Sequence, residues 1–145
     1  MQQVSKYPST YYRVSLKAII RNQDGEVLMV KENGQKNWSL PGGGWDHGET
    51  ARQCLLRELY EEVGFEGDIT IRPLAADTEP VFLEKKQAWL LWMVYEVLPS
   101  NMNFRVGDDA DQIAFIDPHT LEYADSWAQR TAYRYLKEHD LLYNL

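Results

Sequence analysis

The chain has 145 residues, of which 44% are hydrophobic and 26% are charged, and this balance is typical of a single globular domain over residues 1–145. Its net charge of −7 and its sequence pI near 4.9 argue against a basic face that binds duplex nucleic acid. No apolar run approaches the roughly 18 residues that a membrane-spanning helix needs, so we expect no membrane anchor.

The single cysteine, Cys54, excludes an intramolecular disulfide framework and a cysteine-rich zinc site. The first residues, MQQVSKYPST, lack the charged and then apolar pattern of a secretory signal. We therefore expect the protein in the reducing cytoplasm.

The first part of the chain predicts a hairpin followed by a glycine turn. Apolar and polar residues alternate over 14–20, Asp24–Gly25 supply a turn, and residues 27–30 return as a second strand. A short apolar stretch at 38–40 follows. Residues 41–44, a proline and three glycines, are expected to end it.

The rest of the chain predicts helices and further strands. The first helix begins near Glu49 and Thr50 and ends near Val63, with Gly64 as its C-terminal cap. The later elements are a strand from 69 to 75 or beyond, strands at 88–97 and 113–116, and a helix from 126 to about 139. This mixture predicts an α/β fold whose sheet is not purely parallel.

The first helix carries an acidic face. Glu58, Glu61 and Glu62 fall on an arc about 100° wide, because positions i, i+3 and i+4 share one side of a helix. Like charges at i,i+4 repel, and the C-terminal end of a helix is unfavourable for anions. Arg57 can pair with Glu61 but leaves two charges uncompensated. The face is either an ordinary solvated surface or a site for a divalent cation with oxygen ligands.

The spacing around this face resembles a known family motif. Gly43 is followed after five residues by Glu49, and after seven more by the run Arg57–Phe65, R-E-L-Y-E-E-V-G-F. This pattern is similar to a complete Nudix box. The resemblance implies a Nudix-type α/β/α sandwich with a mixed, partly antiparallel sheet. It also implies a hydrolase, dependent on Mg²⁺ or Mn²⁺, that acts on nucleoside diphosphates linked to another group.

The same resemblance implies a set of metal ligands. Glu58 and Glu62 would bind the metal, and Glu61 would either bind it or orient the attacking water. Gly42 would offer its backbone carbonyl. The general base stays open between Glu58, another glutamate of the box and a residue outside it.

Two further roles follow from the resemblance. Arg57 and Glu49 would hold the glutamates and the preceding loop in place for catalysis. An acidic residue from a distal loop often joins the metal site in this family, and Asp109 or its neighbour Asp108 in the DDAD segment is the candidate. A plain solvated turn is the alternative for that segment.

Candidate substrate contacts lie on both sides of the glycines. Trp45 would border the substrate or form a lid over the core. Arg13 and Lys17 would contact phosphate or belong to the solvent face of their strand.

The leading hypothesis is a pyrophosphohydrolase of small-molecule nucleotides that works as a monomer or homodimer. Its substrates include nucleoside triphosphates, oxidised ones among them, nucleotide sugars, ADP-ribose and dinucleoside polyphosphates. The alternative is a non-catalytic Nudix-fold sensor that binds a nucleotide. The intact box favours the enzyme.

Overall fold

A computed structural model describes residues 9–77 and 81–138 of the chain. Their elements, in chain order, are β1 (Tyr12–Ile19), β2 (Val27–Glu32), β3 (Gly42–Gly44), α1 (Ala51–Val63), β4 (Ile69–Asp77), β5 (Phe82–Leu83), β6 (Ala88–Pro99), β7 (Ala110–Ile116), a 3₁₀ turn (Pro118–Leu121) and α2 (Trp127–Glu138).

The strands form two sheets. The larger one has the order β3-β1-β6-β4, and β5 also pairs with β6. β1 runs parallel to β6, whereas the remaining pairs in this sheet are antiparallel. β2 and β7 pair antiparallel as a second, two-stranded sheet. The predicted mixed sheet is therefore confirmed.

The larger sheet lies between the two helices. Leu16 and Ala18 of β1 belong to the same buried cluster as Leu59 of α1. Ile19, which points to the opposite face, belongs to a second cluster with Tyr135 of α2. This alternation confirms the predicted α/β/α sandwich.

The predicted hairpin between the first two strands is present only beside its turn, where Arg21 and Val27 form an antiparallel bridge. The amide of Leu28 there donates to the carbonyl of Ile20 at 2.9 Å. The amide of Asn22 donates to the carbonyl of Glu26 at 3.0 Å, and Gly25 has a positive φ of 78°. β1 and β2 nevertheless belong to different sheets. Both edges of β1 are taken by β3 and β6, so β2 pairs with β7 instead.

The three glycines also differ from the prediction, because they form a strand and not a turn. Gly42, Gly43 and Gly44 pair with β1 as β3. Gly42 has a φ of 132°, and a Cβ atom there would lie 1.9 Å from the carbonyl oxygen of Leu16. Glycine is required at this position because the two strands approach so closely.

Helix α1 begins and ends as the sequence predicts. The side chain of Thr50 accepts from the amide of Gln53 at 3.1 Å, and the side chain of Gln53 accepts from the amide of Thr50 at 2.9 Å. This reciprocal pair caps the first turn. Gly64 ends the helix in the left-handed conformation, with a φ of 61°.

The loop between β6 and β7 satisfies the last carbonyls of α1. Three backbone amides of this loop donate to carbonyls that have no partner within the helix. The donors Arg105, Gly107 and Asp109 bond the carbonyls of Val63, Glu62 and Glu61, respectively, each at 2.9 Å. These bonds hold the DDAD segment beside the acidic end of α1.

The later predicted elements are confirmed with modest changes in their bounds. β4 runs to Asp77 as predicted, β6 and β7 extend beyond the predicted strands, and α2 begins at Trp127. The predicted helix end at His139 lies outside the described residues. Within the described residues, no helix is long and apolar enough to cross a membrane.

We expect Gly42→Ala to destabilise the fold more than Gly34→Ala does. Gly34 has a positive φ of 78° but open space around it, so alanine there should cost about 1–2 kcal/mol from backbone strain alone. Alanine at Gly42 must also push β3 away from Leu16. Urea denaturation of both variants measures the difference, and equal losses would contradict the close approach of these strands.

Candidate metal and substrate site

A cavity of about 370 Å³ lies between β3, α1 and the loop before β7. We call it the carboxylate cavity; its lining residues are Glu32, Asn33, Gly42, Gly43, Glu58, Glu62 and Asp109. Four predicted metal-site residues, Gly42, Glu58, Glu62 and Asp109, are therefore brought together. Sequence reasoning missed Glu32 and Asn33, because nothing local indicates that the end of β2 and the turn after it meet the DDAD segment.

Glu62 is a buried carboxylate, only 2% exposed. Its Oε1 accepts the backbone N–H of Gly42 at 2.6 Å. Burial raises the pKa of Glu62 to about 8, against the opposing influence of Lys17 and of the Gly42 hydrogen bond. Without a further cation, the negative charge of this residue is disfavoured.

Glu58 lies against the second glycine of β3. A Cβ atom at Gly43 would come within 2.6 Å of the Glu58 carboxylate, so the carboxylate directly covers the backbone of β3. Burial raises the pKa of Glu58, and a hydrogen bond from Arg57 Nη1 at 2.9 Å acts in the opposite direction. Two carboxylates that resist ionisation thus line the same cavity.

Arg57 fixes the acidic groups around it. Its Nε and Nη2 donate to the two carboxylate oxygens of Glu49 at 2.7 and 2.8 Å. Nη2 also donates to the carbonyl of Gly44 at 3.0 Å. The hydrogen bonds from Arg57 lower the pKa of Glu49 to about 2. Arg57 therefore ties α1 to the loop that follows β3.

Glu61 is placed apart from the other two glutamates. Its carboxylate lies 3.5 Å from Arg57 Nη1, and its side chain is 36% exposed. The residues that line the carboxylate cavity do not include Glu61. Its predicted i,i+4 pairing with Arg57 is present.

Asp109 is placed at the cavity by its backbone. Besides the bond from its amide to α1, its carbonyl accepts from the amide of Asn33 at 3.1 Å. Asp108 uses its carbonyl to accept from Asn33 Nδ2 at 2.8 Å, and Asp111 accepts from the amide of Gly34 at 2.9 Å. Of the two candidates, Asp109 and not Asp108 lines the cavity.

Lys17 is buried, with 5% of its surface exposed, so the solvent-face interpretation is wrong. Its Nζ donates to the carbonyls of Leu40 at 3.3 Å and Gly42 at 3.2 Å. It also lies 3.8 Å from a carboxylate oxygen of Glu32. The carbonyl of Gly42, a predicted metal ligand, is thus engaged by an ammonium group.

The donor set of the carboxylate cavity consists of oxygen atoms, which suits a hard divalent ion such as Mg²⁺. Among residues 9–77 and 81–138, no three His, Cys, Asp or Glu side chains form a ready-made metal cluster. Arg57 and the amide of Gly42 hold the carboxylates of Glu58 and Glu62. The oxygen donors of Glu58, Glu62, Asp109 and Gly42 that line the cavity fit an ion that keeps several waters and takes few protein ligands.

A larger cavity of about 840 Å³ adjoins the first and shares Glu32 and Gly43 with it. We call it the aromatic cavity. Its aromatic lining residues are Trp38, Phe82, Trp92 and Trp127, and its cationic ones are Arg13, Lys17, Lys85 and Lys86. Sequence reasoning missed Trp127 as a site residue because its spacing in α2 is that of a core position.

The two predicted substrate contacts differ in their surroundings. Arg13 lines the aromatic cavity, and it donates to the carbonyl of Trp45 at 2.9 Å and to Asp46 Oδ1 at 3.0 Å. The ring of Trp45 packs against the core, and its Nε1 donates to the carbonyl of Glu49 at 2.9 Å. The position of Trp45 favours the core-lid alternative.

Comparison with known proteins agrees with this arrangement. The family model of the NUDIX domain matches residues 11–137. The chain belongs to the Nudix hydrolase family. The Nudix box predicted from the sequence therefore lies on β3, on the loop after it and on α1.

Curated Nudix relatives match part of the chain. An RNA pyrophosphohydrolase of Aeromonas hydrophila is 39% identical over 95 residues, covering 55% of this chain and 54% of the relative. One from Vibrio vulnificus is 35% identical over 115 residues, covering 69% of this chain and 66% of the relative. The chain thus spans about half the length of the first and two-thirds of the second.

Solved Nudix structures share the fold. The MutT protein of Methanosarcina mazei superimposes with a TM-score of 0.72 at 17% identity, covering 91% of this chain and 98% of that one. The NUDIX domain of Shewanella oneidensis NrtR, solved in complex with ADP ribose, has a TM-score of 0.65 at 17% identity, covering 91% and 89%. At these identities the likeness concerns the fold alone.

We expect the metal-free protein to lose stability as the pH rises from about 5 to 8. Glu62 has a raised pKa in the folded state, so its stabilising protonated form is lost as the pH approaches 8. Glu62→Gln should flatten this dependence, because glutamine stays neutral and still accepts from Gly42. Urea denaturation in EDTA measures it.

Glu66→Gln is the matched control for that experiment, because Glu66 lies just beyond the same helix and is exposed. It should keep the wild-type slope of stability against pH. An unchanged slope in Glu62→Gln would show that Glu62 does not carry the effect.

Proposed function

We propose that this Nudix domain hydrolyses a phosphoanhydride in a nucleoside diphosphate linked to another group, with Mg²⁺ or Mn²⁺ as cofactor. One observation carries the proposal: the buried carboxylate of Glu62 shares a cavity with Glu58, Asp109 and the backbone of Gly42. Buried carboxylates are unfavourable unless cations balance them. A divalent ion would provide that balance and would also serve catalysis.

The ligands proposed for the ion are the carboxylates of Glu58, Glu62 and Asp109 and the carbonyl of Gly42. Glu61, more exposed and beside Arg57, is proposed as a further ligand or as the residue that orients the attacking water. When bound, the ion would shield phosphoryl oxygens and lower the pKa of a bound water.

The proposed role of Arg57 and Glu49 is positioning. Arg57 holds Glu49 through two hydrogen bonds and holds Glu58 through a third. Because a bidentate guanidinium–carboxylate pair has a fixed geometry, it would keep Glu58 oriented toward the cavity. A shorter lysine in place of Arg57 cannot reproduce this fork.

The proposed place for the nucleotide is the aromatic cavity. Its volume of about 840 Å³ lies within the range of small-molecule sites. Its tryptophans offer flat surfaces on which a base can stack, and Lys85 and Lys86 offer charge to phosphates. The junction at Gly43 would bring the phosphoanhydride to the carboxylates.

We propose nucleotides as the substrate class, and an assay of hydrolysis over a panel of candidates identifies the preferred one. The candidates are nucleoside triphosphates, oxidised ones included, nucleotide sugars, ADP-ribose and dinucleoside polyphosphates. The name of the curated relatives adds RNA to this panel. The second candidate function is a sensor that binds a nucleotide without turnover.

We also propose that residues 1–145 act as one domain in the cytoplasm, as a monomer or a homodimer. The family match over residues 11–137 supports the single domain. The free thiol of Cys54, which is buried, is compatible with a reducing compartment.

We expect EDTA to abolish hydrolysis of the best substrate in the panel and Mg²⁺ or Mn²⁺ to restore it.

Glu62→Gln should lower kcat by about two orders of magnitude or more, because it removes a charged metal ligand while keeping the bond to Gly42. Assays of phosphate release measure both effects, with Glu66→Gln as a control of wild-type activity.

Two results would contradict this proposal. Hydrolysis that persists without any divalent ion would exclude the metal mechanism. Binding of a nucleotide without turnover by the metal-loaded wild type would favour the sensor.

We expect Trp127→Leu to raise KM about tenfold with a smaller change in kcat, because a base would lose a stacking surface. Steady-state kinetics measure the split. Tyr60→Leu is the control, since Tyr60 is exposed on α1 and is not among the residues that line the aromatic cavity. An equal rise in KM for both variants would place the base elsewhere.

A further inference from the structure

Lys17 is a buried cation surrounded by acceptors. Lysine is rarely buried unless its charge is balanced. Its ammonium group carries three donors, and three acceptors lie around it: the carbonyls of Leu40 and Gly42 at 3.3 and 3.2 Å and a carboxylate oxygen of Glu32 at 3.8 Å. The ring of Trp92 lies 5.1 Å from Nζ.

The position of Lys17 is fixed by the same ladder that fixes Gly42. The two residues are direct partners in the pairing of β1 with β3. Gly42 donates its N–H to Glu62 and accepts from Lys17 at its carbonyl. One glycine therefore connects the buried carboxylate to the buried ammonium group.

We propose that Lys17 is the resident counter-cation of the carboxylate cavity and that it competes with the divalent ion for the Gly42 carbonyl and the surrounding negative charge. This inference rests on the proposed function, which assigns the ion to Glu58, Glu62 and Gly42. Lys17 would neutralise part of the cavity before the ion arrives. It would then weaken the binding of the ion, because two cations in one small site repel.

The contacts favour this role over direct phosphate binding. The donors of the Lys17 ammonium group already face protein acceptors at hydrogen-bond or ion-pair distance. A phosphate would have to displace these acceptors, whereas a metal at the Gly42 carbonyl displaces only one of them. Lys17 is thus a positioning residue that acts through the metal site.

The test is the affinity of the protein for Mn²⁺ alone, measured by calorimetry and by electron paramagnetic resonance without substrate. We expect Lys17→Met to bind Mn²⁺ about tenfold more tightly than the wild type, because the competing charge is gone. Lys17→Arg keeps the charge and should stay near the wild-type affinity.

Lys31→Met is the matched control, because the Lys31 ammonium group lies over the ring of Trp38, at 4.7 Å, whereas that of Lys17 donates to the carbonyl of Gly42. Its Mn²⁺ affinity should equal that of the wild type. If Lys31→Met gains as much Mn²⁺ affinity as Lys17→Met, the gain follows from the change in net charge alone, and the proposal is overturned.

Thermal unfolding gives a second readout. In EDTA, Lys17→Met should have a lower Tm than the wild type, and Mn²⁺ should raise that Tm by more than it raises the wild-type value. If Lys17→Met does not fold in EDTA, Lys17→Gln serves in its place, since its amide still donates to a carbonyl without a charge, and the same tightening is expected.

The outcomes separate the two proposals. If the wild type binds Mn²⁺ and Lys17→Met binds it with equal or weaker affinity, only the role of Lys17 is overturned. Wild-type protein that binds no Mn²⁺ overturns the metal site itself, and the role of Lys17 with it.

Discussion

The hydrogen bond between the Gly42 amide and the buried carboxylate of Glu62, at 2.6 Å, is the constraint on which the rest of the site depends. It joins β3 to the last turn of α1 through two residues that lie twenty positions apart in the chain. β3 reaches this position only because Gly42 has no side chain to meet Leu16. The strand, the helix end and the cavity between them therefore form together.

Two cations bracket the acidic residues from different elements. Arg57, on α1, holds Glu49 and Glu58 with a planar fork, whereas Lys17, on β1, holds a backbone carbonyl and approaches Glu32. Neither cation forms a one-to-one ion pair, because each shares its charge among several acceptors. Burial still raises the pKa of Glu62, because Lys17 and the Gly42 hydrogen bond offset only part of the cost of desolvation.

Local features of the fold could be predicted from the sequence, and long-range partnerships could not. The ends of α1 follow from Thr50 and Gly64, which act within one turn of the helix. The partner of β1 depends on which strands reach its two edges, and no local pattern encodes that. The burial of Lys17 likewise follows from the position of β3, so a charged residue in a strand was indistinguishable from a solvent-facing one.

The three hydrogen bonds from the loop before β7 to the end of α1 have a mechanical consequence. Successive carbonyls of the last helical turn accept from alternate amides of the loop, so the two segments are held together at three points. Asp109 occupies the last of these bonds. A ligand that draws Asp109 into the cavity would also displace the carbonyl of Glu61, to which the Asp109 amide is bonded. The loop and the end of α1 would therefore move together.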